Sequence, residues 1–157
     1  MYFVKTPKIA RAFNKKAIWN IPNKVKEIFL TFDDGPTPLI TNHTLDILKK
    51  HKIKATFFCL GKQVENHPEI FKKIIDEGHA VGNHSYSHLK GWTTKNEQYL
   101  EDVRKGEAII KSHLFRPPYG KIKRSQVNLL NPQTKIILWD VLPGDFSPSN
   151  NVEKIIS

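Results

Sequence analysis

Four short segments carry the residue types that hydrolytic chemistry asks for. In TFDDGP (31–36), Asp33 and Asp34 are adjacent carboxylates that repel each other unless a cation or a donor stands between them. A metal ion resolves the conflict if one carboxylate ligates it and the other accepts a proton from water. The same Asp, Gly and Pro residues also suit a plain turn. In NHSYSH (83–88), His84 and His88 are four residues apart, so one helical turn or a tight loop presents both imidazoles to one ion. Such a pair is often only surface. Joined by an aspartate, it becomes a two-histidine, one-carboxylate set that leaves positions open for water and substrate. RPPYG (116–120) offers Arg116, which can fork onto a carboxylate and keep it ionised. Behind its two rigid prolines, the backbone N–H groups of Tyr119 and Gly120 could hold an oxyanion; the plainer reading is a stiff loop with a surface arginine. LWDVLPGDF (138–146) adds Trp139 as a wall for a small apolar pocket, and Asp140 and Asp145 as groups that could orient a histidine acid.

Elements far apart in the chain must bring these groups together. Strands are expected at 27–32, 54–60, 79–83, 114–116 and 135–140, where apolar runs end in turn residues. Between them, helical spacing predicts helices over 39–52, capped by Thr41 or Asn42, over 67–78, with Pro68 near the start and Gly78 at the C-terminal cap, and over 95–111 and 125–130. A last helix is expected within 147–157. Alternation of this kind implies parallel strands with right-handed crossovers. Reactive groups then gather beyond the C-terminal ends of the strands. By that rule Asp33, Asp34, His84, His88, Arg116, Asp140 and Asp145 share one rim. His43 and His51 are expected on the first helix and His67 and His113 at helix ends, all in solvent. His79 is expected to open the third strand, at the opposite end of the sheet. Five strands are too few to close a barrel.

Composition bounds the rest. The 157 residues suit a single domain, and 39% hydrophobic with 25% charged residues is a globular balance. No run reaches the roughly 18 apolar residues of a membrane-spanning helix. The basic N-terminus has neither an apolar core nor a small-residue cleavage site, so no secretory leader is expected: either the chain stays in the cytoplasm, the reading on sequence alone, or a leader has been lost. An interfacial helix over 8–19 is a lesser expectation. A single cysteine, Cys59 in ATFFCL, excludes an intrachain disulfide and suits a buried core thiol. The net charge of +10 comes from scattered lysines without a nucleic-acid-binding signature. It reads as a solvated basic surface with no nucleic-acid partner; attraction to a polyanionic cell-wall polymer is a weaker option.

Taken in order, TFDDGP, HSYSH, RPPYG and WDVLPGDF resemble four successive motifs of the polysaccharide deacetylases, the NodB-homology domain of carbohydrate esterase family 4, over about residues 27–157. The resemblance implies an α/β fold, a distorted (β/α) barrel with parallel strands, here incomplete, preceded by a basic extension over 1–26. It implies hydrolysis of N-acetyl, sometimes O-acetyl, groups on a glycan such as peptidoglycan or a chitin-like polymer, in the cell envelope or outside the cell. One divalent ion would be held by Asp34, His84 and His88: zinc first, with cobalt, nickel or manganese as alternatives. Asp33 would be the base, tethered by Arg116. The Tyr119 N–H would steady the oxyanion, Trp139 and Pro118 would face the substrate, and Asp145 would orient the acid. Asp140 stands at a position that is usually not acidic, and Phe146 where tryptophan is frequent. A fifth motif, Leu-x-His, whose histidine is the general acid, does not follow Asp145. The expectation is a chain truncated before that motif and poorly active as it stands. The alternative is a catalytically impaired, metal-dependent glycan-binding domain.

Overall fold

In the computed structural model, residues 5, 11, 15–22, 27–130 and 132–144 are described. The strands Thr31–Asp33 (β1), Thr56–Cys59 (β2), Ala80–Asn83 (β3), Leu114–Phe115 (β4) and Lys135–Ile136 (β5) form one sheet in the order β1-β2-β3-β4-β5. Every neighbouring pair is parallel. Among the described residues the sheet is an open portion of a (β/α) barrel. Between the strands run the helices Pro38–Lys50 (α1), Gly61–Asn66 (α2), Pro68–Asp76 (α3), Asn96–Ile110 (α4) and Arg124–Leu129 (α5). A 3-10 turn, Pro118–Gly120, follows β4. Among the described residues no helix is long and apolar enough to cross a membrane.

Side chains of β2 alternate between two faces, as a pleated strand requires. Phe57 and Cys59 join Leu45, Leu48, Val64 and Ile74 in one core cluster, under α1 and α3. Phe58 points the other way and lies beneath the Arg116 guanidinium, 4.1 Å from it. A second cluster holds Tyr99 and Val103 of α4 against Phe115, Ile136 and Leu138. Burying each large side chain fully is worth roughly 1.5–3 kcal/mol, so these two clusters hold the helices to the sheet.

The structure corrects several boundaries. The apolar run before β1 is partly buried only at its end: Ile28 is 84% and Phe29 60% exposed, Leu30 packs on the core, and pairing with β2 begins only at Thr31. The first helix starts at Pro38, before the expected caps, because a proline at the first helical position is already set for helix. Thr37 is its N-cap, and Thr41 lies inside, its hydroxyl accepting the Thr37 N–H at 2.8 Å. The fifth strand ends at Ile136, with Ile137 continuing only as a bridge to Ile18. That bridge, flanked by Ala17 and Trp19 on the second cluster, docks part of the N-terminal stretch onto the β5 side of the sheet. The short helix α2 has no counterpart among the expected elements. Gly78, at φ +75°, follows α3 as anticipated. The last helix, half of 8–19, Asp145 and Phe146 lie outside the described residues.

Candidate active site

Three of the candidate side chains stand at the C-terminal ends of strands. Asp33 ends β1, His84 follows β3 directly, and Arg116 follows β4 directly. The His84 N–H donates to the Cys59 carbonyl at 2.8 Å, anchoring this residue where β2 ends. Its Nδ1 lies 2.7 Å from the Arg116 carbonyl oxygen. A carbonyl only accepts, so Nδ1 carries the proton and Nε2 presents a lone pair. That Nε2 is 3.4 Å from Oδ1 of Asp34, and the His88 Nε2 is 3.1 Å from the same oxygen. One donor atom from each of the three residues lies within 4.8 Å of the others. Ligands on bonds of about 2.0–2.1 Å sit roughly 3 Å apart, so the donor set fits one divalent ion. When protonated on Nε2, the two imidazoles, His84 first, hold the Asp34 carboxyl well below its ordinary range, against the opposing effect of burial.

The backbone around these donors is strained. Asp34, Ser85, His88 and Tyr119 all have positive φ, at 69°, 70°, 66° and 59°. For residues other than glycine this costs of order 1–3 kcal/mol each, and it persists only where surroundings over-determine it. Asn83 supplies part of that support. Its Oδ1 accepts the Ser85 N–H at 2.8 Å, and its Nδ2 donates to the Val103 carbonyl at 2.9 Å. The Ser85 hydroxyl accepts the His88 N–H at 3.1 Å, and the Tyr119 ring packs on the His88 ring, centroids 4.6 Å apart.

Beside the triad, Asp33 takes a hydrogen bond from Arg116 Nη1 at 2.8 Å. Arg116 is 3% exposed and its charge is further partnered by Thr31 Oγ1 at 2.8 Å and the Ile137 carbonyl at 3.4 Å. Burial pulls the guanidinium below its ordinary value, and the charge of Asp33 works the other way. The result is a carboxylate held in place, 29% exposed, and separate from the three-donor cluster. Thr31, Phe58 and Asn83 carry no chemistry-bearing pattern of their own in the sequence. Only their positions next to the motifs hint at a role.

The remaining expectations divide. Gly120 does not offer its N–H, which closes the 3-10 turn on Pro117 at 2.9 Å; among the described residues no acceptor takes the Tyr119 N–H. The Pro118 ring is fully buried, so it shapes the turn and presents no surface to a substrate. Trp139 stacks over Gly120, where an added Cβ would come within 2.8 Å of the indole, and its ring lies 5.7 Å from Arg116. Asp140 is not aimed at a histidine but pairs with Arg11. His79 precedes β3, and its Nδ1 accepts the Ala55 N–H at 3.2 Å within the core. His67 is half-buried between α2 and α3, where full exposure was expected.

Comparison with known proteins gives one consistent answer. A family model described as polysaccharide deacetylase matches residues 20–133. A peptidoglycan-N-acetylglucosamine deacetylase of Bacillus cereus is 35% identical over 147 residues, covering 88% of this chain and 68% of that protein. The peptidoglycan-N-acetylmuramic acid deacetylase PdaC of Bacillus subtilis is 42% identical over 138 residues, covering 82% of this chain and 28% of that protein. The solved structure of PdaC superposes with a TM-score of 0.78 at 38% identity, over 87% of this chain and 69% of that one. A CE4 family pseudoenzyme from Bacillus anthracis superposes with a TM-score of 0.70 at 30% identity, over 78% of this chain and 46% of that one.

Proposed function

Because the chain belongs to the polysaccharide deacetylase family, we propose that it is a metal-dependent hydrolase removing N-acetyl groups from the sugars of peptidoglycan or a chitin-like glycan. One observation carries the reading: a three-donor cluster of Asp34, His84 and His88 stands beside a second carboxylate, Asp33, that a buried arginine holds in place by a hydrogen bond. Two imidazoles and a carboxylate suit zinc best. When bound, such an ion supplies Lewis-acid polarisation of the acetyl carbonyl and lowers the pKa of water.

The chain's own residues do the rest. Asp33 accepts the proton of the attacking water, and Arg116 holds that carboxylate aimed. The Tyr119 N–H donates to the oxygen on which negative charge develops. Trp139 walls the space for the acetyl methyl. Acetate release from N-acetylated peptidoglycan and from chitooligosaccharide, with zinc and after chelation, tests the proposal. Metal-dependent release supports it. No release from either glycan, or release indifferent to both metal and Asp33→Asn, sinks it. An O-acetylated xylan in the same assay separates ester from amide hydrolysis.

A second reading has a specific observation in its favour. The five histidines outside the triad sit on α1, at helix ends, before β4 or before β3, so no third imidazole completes an acid beside Asp33 among the described residues. A metal-holding, glycan-binding domain with weak turnover would bind the polymer saturably and release little acetate.

A further inference from the structure

Four hydrogen bonds converge on one carboxylate outside every group described so far. Asp102 lies on α4. Its Oδ2 accepts the Tyr86 and Ser87 N–H groups, each at 3.1 Å, and its Oδ1 accepts the Ser87 N–H at 3.2 Å and the Ser87 hydroxyl at 2.5 Å. Its own backbone carbonyl takes the Tyr86 N–H at 3.2 Å as well. Among the described residues Asp102 forms no ion pair and is turned onto backbone donors of another segment.

Its helical neighbours fit the same segment. Val103 holds Asn83 through its carbonyl. Gly106 lies so close that a Cβ there would meet Asn83 Oδ1 at 2.5 Å and the Ser85 carbonyl oxygen at 2.9 Å. Residues 102, 103 and 106 are one face of a helix. That face is moulded on the stretch that carries both triad histidines.

The two histidines differ in how they are held. His84 is 2% exposed and fixed by the Arg116 carbonyl. His88 is 25% exposed, has a left-handed backbone, and has no such acceptor for its ring among the bonds of the described residues; it depends on the loop before it. Tyr86 and Ser87 are the two residues before it, and Asp102 clamps both. We propose that Asp102 is a positioning residue whose carboxylate holds His88 in ligand geometry, an inference that rests on the metal-centre reading above.

Ion affinity, measured by competition with a chromophoric chelator using zinc alone, and the visible spectrum of the cobalt-loaded protein test this. Asp102→Ala should weaken zinc binding roughly 10–100-fold, the usual effect of losing a group that orients a ligand. Asp102→Asn, which keeps an acceptor oxygen, should lose less. The decisive comparison is the double-mutant cycle: in a His88→Ala background, Asp102→Ala should have no further effect on zinc affinity, and the cobalt spectrum of Asp102→Ala should resemble that of His88→Ala. A merely structural role gives the same factor in both backgrounds. Unchanged affinity in Asp102→Ala, or additivity with His88→Ala, overturns the inference. If Asp102→Ala does not fold, Ser87→Ala, which removes only the hydroxyl bond, goes through the same cycle: non-additivity with His88→Ala supports the clamp, and additivity or unchanged affinity overturns it. Zinc binding by the wild-type chain is the control: its absence sinks the metal-centre reading and this inference with it, whereas binding that Asp102 does not influence sinks the inference alone.

Discussion

At the scale of single residues, the proposed function separates holding an ion from moving a proton, and substitutions should separate them too. Asp33→Asn keeps an oxygen that can accept from Arg116 Nη1, so stability and zinc affinity should stay near wild type. Acetate release should fall by roughly 10²–10⁴-fold, the usual worth of a general base. Loss of zinc affinity in that variant would instead put Asp33 among the ligands. Asp34→Ala and His84→Ala should both weaken zinc binding strongly, but with different effects on the metal-free fold. Asp34 is 62% exposed, so its loss should move thermal unfolding less. His84 fills a buried position and satisfies the Arg116 carbonyl, and an orphaned buried acceptor costs about 1–3 kcal/mol before the cavity is counted. Calorimetry of the two metal-free variants checks the contrast. The triad was legible in the sequence because four-residue histidine spacing and adjacent carboxylates are local patterns. Asp102 was not: its acid lies on an ordinary helix, and only the tertiary approach of α4 to 83–87 gives it partners. Gly120 misled for a similar reason, since nothing local says that its N–H closes a turn.

At the scale of elements, the sheet positions the chemistry through what it leaves out as much as through what it places. Gly82 of β3 sits against Phe58 of β2, where an added Cβ would come within 2.5 Å of the ring. That ring carries the Arg116 guanidinium. Gly82→Ala should therefore push Phe58 into the arginine, costing roughly 1–3 kcal/mol as overpacking does. It should also lower acetate release by disturbing the group that aims Asp33. Urea unfolding and turnover measured on the same preparation check both; full stability with full activity would show that the ring has room to move. The parallel alternation of strand and helix could be read from apolar runs and their punctuation, and this is why Asp33, His84 and Arg116 were legible as neighbours on one rim. Strand ends could not be read, because pairing sets them: Ile28 and Phe29 are apolar yet lie before the first residue of β1 that pairs with β2. GKQVEN gave no periodic signal for α2, and its single buried large residue, Val64, is too little pattern to find.

At the scale of the whole molecule, each core cluster contains one group that resists ionising, and together they set how the fold responds to alkali. Cys59 is fully buried in the first cluster, and burial, with a smaller push from the charge of Asp33, raises its thiol from 9.0 to about 12. Tyr99 is fully buried in the second, and burial, with the charge of Asp102 adding, raises its hydroxyl above the ordinary 10.0. Below pH 9.0 both states of the chain keep the thiol proton, so the stabilisation is present in full. As pH rises from 9.0 toward 12 the unfolded chain gives up protons that the folded one retains. The unfolded state then binds fewer, and stability falls by about 1.4 kcal/mol per pH unit for each such group. The unfolding free energy from urea titration should therefore drop between a pH below 9.0 and one midway to 12, while a thiol reagent leaves Cys59 untouched until the protein unfolds. Cys59→Ala combined with Tyr99→Phe should flatten that drop even where it lowers stability at neutral pH. An equally steep loss in the double variant would move the cause from the two cores to the basic surface.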